Sequence, residues 1–266
     1  MSGMPQPDGL LPDAPDLYHH LISQLDYMRG FDNKLGRNSN NFEKSYFQLK
    51  RQSENDWELD INPNWVVRIS TPDHIEGRDF ATADGYAVIG GIIDVAEGSF
   101  VEYSLGLTLL ARENSEVRGG GVGSPCCWTY REEDTEWRVA KRYHFDIDPG
   151  SDDSEDKPIT HLQSGGNFDS APLPSGLSQD QVHYCSSPLD KPRLPHPPMD
   201  PVLLFEMVSD QYGSPKYFES ETWSPLVRES ETKLWGKYYH RISEHLAKED
   251  RSNLFNSLIS NGRLES

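Results

Sequence analysis

The sequence predicts an α+β fold: an antiparallel sheet of about five or six strands, preceded by one helix and followed by several. Two patterns carry this expectation. Between Trp57 and about Arg142, runs rich in β-branched and aromatic residues are separated by short Gly, Asp, Asn and Glu segments. No long helical pattern lies between them, which argues for a meander of neighbouring strands and against βαβ units. On either side of this region the apolar residues recur at helical spacing instead.

Taken in order, residues 1–15 hold four prolines and no apolar periodicity and are expected to be a flexible or loosely packed leader. Asp16 reads as an N-cap. The stretch DLYHHLISQLDYMRGF then places Leu17, Leu21, Leu25 and Met28 on one helical face, with Tyr18 and Ile22 alongside and an end at Gly30. The expected strands are WVVRIS (65–70), YAVIGGIIDV (86–95), FVEYSLGLTLLAR (100–112), CCWTYR (126–131) and WRVAKRYHFDID (137–148). From about 164 to 199 the chain is dense in Pro, Ser, Gly and Asp and reads as a long connector with little regular structure. Asp200 as N-cap and Pro201 at the first helical position then open PVLLFEMVSDQY. Residues 200–266 read as helical. Leu234, Tyr238, Ile242 and Leu246 form one stripe, a shorter Leu254/Phe255/Leu258 repeat follows, and these helices are expected to cover one face of the sheet. Residues 16–266 are thus expected to be a single domain.

Composition narrows the classes. At 266 residues, with 35% hydrophobic and 11% aromatic residues, the chain can bury a core without staples. Its 43 acidic against 25 basic residues give a net charge of −18, a field that repels polyphosphates and anionic lipid, so any nucleic-acid contact has to be local. The same charge favours basic partners and cations. Of three cysteines, Cys126 and Cys127 are adjacent, too close at ~3.8 Å between Cα atoms for an ordinary disulfide. Cys185 is left alone. There is no CxxC pair, no Cys/His zinc spacing, no secretory leader pattern and no apolar run of spanning length, so a cytoplasmic protein off the membrane is expected.

One constellation carries chemistry. In RVAKRYHFDIDP, alternation puts Val139, Tyr143, Phe145 and Ile147 on one face, interrupted by Lys141. Arg138, Ala140, Arg142, His144, Asp146 and Asp148 fall on the other. Beyond an acidic loop, PITHLQSGG directs His161 and Gln163 to one side and Leu162 to the other. Antiparallel pairing in a suitable register would set His144 and Asp146 across from His161 and Gln163. Two readings follow. Two imidazoles with carboxylates can hold a divalent metal, with His144, Asp146, Asp148 and His161 as ligands. Without metal, the same set offers a general base oriented by Asp146, with Arg142 as an anion clamp. Against both stands the plain one: any half-exposed antiparallel strand alternates in this way.

Other signals are weaker. RGGGVGSP (118–125) lacks the following helix that a phosphate loop needs and reads as a turn. His183 and Cys185 sit in the connector, where a catalytic pair is hard to hold. His19 and His20 lack metal-motif partners and default to the surface. Trp223, Trp235, Tyr238 and Tyr239 could line a partner groove, although such residues more often anchor helices. Lys233, Lys237, His240 and Arg241 form a modest basic cluster among glutamates.

The succession YHFDIDP, HLQSGG and Arg193-Leu194-Pro195 leading into PVLLFEMV resembles a pattern in uncharacterised prokaryotic proteins of toxin–antitoxin and anti-phage defence loci, over roughly residues 138–210. The resemblance implies a small α+β domain with an aromatic-Asp strand and a His-x-polar strand, in some cases with a toxic or nuclease-like role. Gln163 stands where the fuller pattern has a second His. The expectation is a cytoplasmic defence or toxin–antitoxin component acting as a metal-dependent hydrolase or nuclease. The alternative is a non-catalytic subunit that docks a protein partner.

Overall fold

The computed structural model describes residues 11–35, 48–70, 84–112, 137–148, 158–165, 171–183, 193–212, 221 and 223–247. An N-terminal helix, α1 (Ala14–Leu35), precedes strands β1 (Gln48–Arg51), β2 (Trp57–Ser70), β3 (Asp84–Ala96), β4 (Ser99–Arg112), β5 (Trp137–Ile147), β6 (Thr160–Ser164), β7 (Val182–His183) and β8 (Arg193–Pro195). Helices α2 (Pro201–Tyr212), α3 (Trp223–Ser230) and α4 (Gly236–Ala247) close the order, with a π turn at Glu231–Trp235 between the last two. The fold is α+β as expected. Among the described residues the sheet has eight strands, in the order β1-β2-β3-β4-β5-β6-β8 with antiparallel neighbours, and β7 pairs parallel with β5.

The count exceeds five or six because β1, β7 and β8 are two to four residues long and drawn from charged or Pro-containing stretches. Such strands exist through their partners rather than through their own propensity. Two of them lie inside the connector. CCWTYR, the glycine run at 118–125 and the Leu254/Phe255/Leu258 repeat lie outside the described residues.

Helix α1 begins earlier and ends later than expected. Asp13, not Asp16, is its cap: the Leu17 N–H donates to the Asp13 carbonyl at 2.9 Å and the Asp16 N–H to Asp13 Oδ1 at 3.2 Å. Packing starts inside the segment expected to be loose, since Leu11 and Ala14 are buried in the core.

One sheet face carries that core. Trp57, Leu59 and Ile61 of β2, Ile89 and Ile93 of β3, Leu105 and Leu107 of β4 and Phe145 of β5 meet Leu17 and Leu21 of α1 and Val202 and Phe205 of α2. Fully burying each such side chain stabilises the fold by about 1.5–3 kcal/mol. Phe205 stacks on Trp65 with centroids 4.5 Å apart and meets Trp223 edge-on at 5.4 Å, which ties α2 and α3 to the sheet. The C-terminal helices therefore cover this face, as their stripe predicts.

The opposite face divides in two. Near one end, Tyr86, Val88 and Leu110 form a second cluster with Val182, against which Ala171, Leu173 and Leu177 pack. The cover there is the strap 171–183. Its position depends on missing side chains in the sheet. A Cβ on Gly90 would lie 2.6 Å from Pro172 Cβ, and one on Gly106 would lie 3.0 Å from Pro172 Cδ, so the proline ring rests on two bare, register-paired positions. Asn64, at the irregularity in β2 where Pro63 has no N–H to give, donates its amide to the Leu173 carbonyl at 2.7 Å. The rest of this face is polar.

Candidate functional site

Four strands bring the polar residues together. Register pairs His144 with Gly106 and Gln163, Asp146 with Ser104 and His161, and Arg142 with Thr108. The pairing expected of His144, Asp146, His161 and Gln163 on one surface is the pairing found. Arg193 of β8 lies across from Gln163 and extends the row to the sheet edge.

The geometry assigns protons. His161 Nδ1 is 2.9 Å from the Pro158 carbonyl, which only accepts, so Nδ1 carries hydrogen and Nε2 is the nitrogen turned to Asp146. Nε2 stands 3.6 Å from Asp146 Oδ2, with His161 4% and Asp146 25% exposed. Ser104 Oγ donates to Asp146 Oδ1 at 2.6 Å and fixes the carboxylate from β4.

His144 is held in the opposite sense. A guanidinium only donates, so the hydrogen bond between Arg142 Nη2 and His144 Nε2 makes Nε2 the acceptor and the ring neutral. Burial, and after it the Arg142 charge, lower the His144 pKa to about 4; Asp146 opposes this and His161 adds to it. The site therefore sets a neutral imidazole, His144, in the same row as an imidazole–carboxylate contact, His161 with Asp146. Two imidazoles held by different partners are the raw material of acid–base chemistry.

The metal set of His144, Asp146, Asp148 and His161 is not assembled. Among the described residues no group of three or more His, Cys, Asp or Glu side chains is placed to hold a metal ion. The physical reason is visible in the pairings: His144 is turned to Arg142, His161 is fixed by Pro158, and Asp148 follows the end of β5, its N–H donating to the Ile159 carbonyl at 2.7 Å.

Sequence reasoning missed Ser104 and Thr108. The signal was present, because in SLGLTLL the residues Ser104, Gly106 and Thr108 alternate with Leu105, Leu107 and Leu109. Converting it into a site required the β4–β5 register, which shifts between Leu109 and Leu110.

It also missed a buried polar cluster on the helical side. His19 is exposed as expected, but His20 is buried. Its Nε2 is 2.8 Å from Ser230 Oγ and 3.4 Å from Asp200 Oδ2, and Nδ1 is 3.4 Å from Glu229 Oε1. Gln24 donates to Asp200 Oδ2 at 2.6 Å, while Asp200 Oδ1 accepts the Leu203 N–H at 2.8 Å as the cap of α2. Ser230 and His20 are fully enclosed, so this cluster joins α1, α2 and α3 rather than facing a substrate.

The aromatic residues proposed for a partner groove are mostly anchors. Trp223 and Tyr238 are buried, and Trp235 donates its indole N–H to the Pro198 carbonyl at 2.9 Å; Tyr239 is exposed. The basic cluster is balanced by glutamates: Lys233 lies 3.9 Å from Glu229, and His240 and Arg241 lie 3.4 and 3.8 Å from Glu244. Exposed pairs of this kind contribute little. No described helix is long and apolar enough to cross a membrane. His183 pairs in register with Arg138 in β5, and Cys185 lies outside the described residues. No protein-family model, curated protein or solved structure matches this chain.

Proposed function

We propose that this chain is a hydrolase of small anionic esters, acting through Arg142, His144, Asp146 and His161. The observation that carries the reading is the different holding of the two imidazoles. His144 is a neutral ring whose Nε2 is occupied by Arg142, and His161, with Nδ1 on the Pro158 carbonyl, turns Nε2 to Asp146. When the Arg142 guanidinium turns to an anionic substrate, His144 Nε2 becomes free to take a proton from water. The water oxygen bonds to the ester centre, the ester oxygen leaves, and in this scheme it receives a proton from His161 Nε2, the imidazole then sitting beside the Asp146 carboxylate. Substrate binding and activation of the base are then one event.

A small substrate fits the net charge of −18, which opposes a long polyanion everywhere outside this local clamp. The cellular setting we propose is the cytoplasm of a prokaryote, within a defence or toxin–antitoxin system, on the likeness of residues 138–210.

The test is hydrolysis of a panel of phosphate diesters, phosphate monoesters and carboxylate esters by the purified chain, alongside growth of cells expressing it. Asp146→Asn and His161→Gln should each lower kcat by about 100-fold or more with little change in Tm. Turnover that both variants retain, or no turnover by the wild type across the panel, would overturn the proposal.

A further inference from the structure

We infer that Thr108 and Arg142 form a subsite for a phosphoryl group beneath the 171–174 strap; this rests on the hydrolase reading and names its substrate class. The Thr108 hydroxyl is completely buried and makes no hydrogen bond. Its strand neighbours divide around it. Leu110 and Val88 give an apolar wall on one side, while bare Gly106 and the cross-strand Arg142 lie on the other. An unsatisfied hydroxyl destabilises a fold, and valine would fill the same volume without that penalty, so its presence asks for an explanation.

Arg142 supplies it. Its backbone pairs directly opposite Thr108, its side chain is buried in the same row, and its guanidinium is engaged with His144. A planar carboxylate uses both its oxygens on a guanidinium fork. A tetrahedral oxyanion has a further oxygen, and the Thr108 hydroxyl is the donor placed to meet it. The carboxylate next along β5, Asp146, is engaged by Ser104 and His161, so its charge is compensated on the far side of His144. Pro172 rests on Gly106, so a phosphoryl group that reaches Thr108 moves the strap aside.

The probe is inorganic phosphate alone, read by thermal unfolding and by calorimetric titration of the full chain. Wild type should gain Tm with millimolar phosphate. Thr108→Val should melt at or above the wild type in phosphate-free buffer, yet bind phosphate about tenfold more weakly or worse, the loss of one hydrogen bond to a charged group. Thr108→Ser should bind as the wild type does. The inference is overturned by a phosphate-free Tm that falls in Thr108→Val, by equal phosphate binding in wild type and Thr108→Val, or by no binding in the wild type. Its fate is separable from that of the parent reading: phosphate binding without ester turnover sinks the hydrolase alone, and carboxylate-ester turnover without phosphate binding sinks this subsite alone.

Discussion

At the scale of single residues, His144 shows how neighbours set a side chain's chemistry. Held near pKa 4 by burial and by Arg142, it is neutral in the fold, whereas in the unfolded chain it takes up a proton below about 6.5. The unfolded state therefore binds more protons between those values, and the stability tied to this residue falls as pH drops from about 6.5 toward about 4. His144→Gln removes that dependence. Its Tm relative to wild type should rise between pH 7 and pH 4.5, and an unchanged gap would show that His144 is not held neutral. Arg142, His144, Asp146 and His161 were legible in the sequence because a strand's period of two sorts them without any tertiary knowledge. Ser104 and Thr108 needed a register, and the failure of the four ligands to converge needed the directions of the rings.

At the scale of elements, the long strands and the start of α2 were legible because each carries its own signal: β-branched alternation in β2 to β5, and Asp200-Pro201 before an apolar run. Strands β1, β7 and β8 carry none. The π turn was equally hidden, although its purpose can be read from spacing. Leu234, Tyr238 and Ile242 recur every fourth residue, and such a stripe drifts by about 40° per step on an ideal helix of 3.6 residues per turn. The wider turn at Glu231–Trp235 takes in an extra residue, and both Ser230 before it and Leu234 within it are buried. Deleting Thr232 should restore an ordinary helix and leave α4 facing nearly as it does now, because the wide turn and an α turn one residue shorter sweep almost the same angle. Helix content by circular dichroism should hold and Tm should change by less than about 5 °C, as Tyr238 stays in the core. A deletion variant that loses much more than this would contradict this account of the turn.

At the scale of the molecule, the sheet separates two tasks. One face, under four helices, holds the aromatic core; the other holds the polar site and a narrow cover. The layer arrangement followed from the order of patterns along the chain, whereas the division of the second face did not, because Gly90 and Gly106 look like ordinary strand interruptions until Pro172 is seen resting on them. That unequal covering means the chain has more than one stability. The strap is held by a small apolar cluster, the Asn64 amide and the short β5–β7 pairing, so it can detach while the helical side remains folded. Amide exchange should reveal this directly: protons of Leu177 and Gln181, bonded only within the strap, should exchange at least about 100-fold faster than that of Leu204 in α2, with a denaturant dependence that reports little exposed surface. Equal protection would instead mean that strap and core unfold as one cooperative unit.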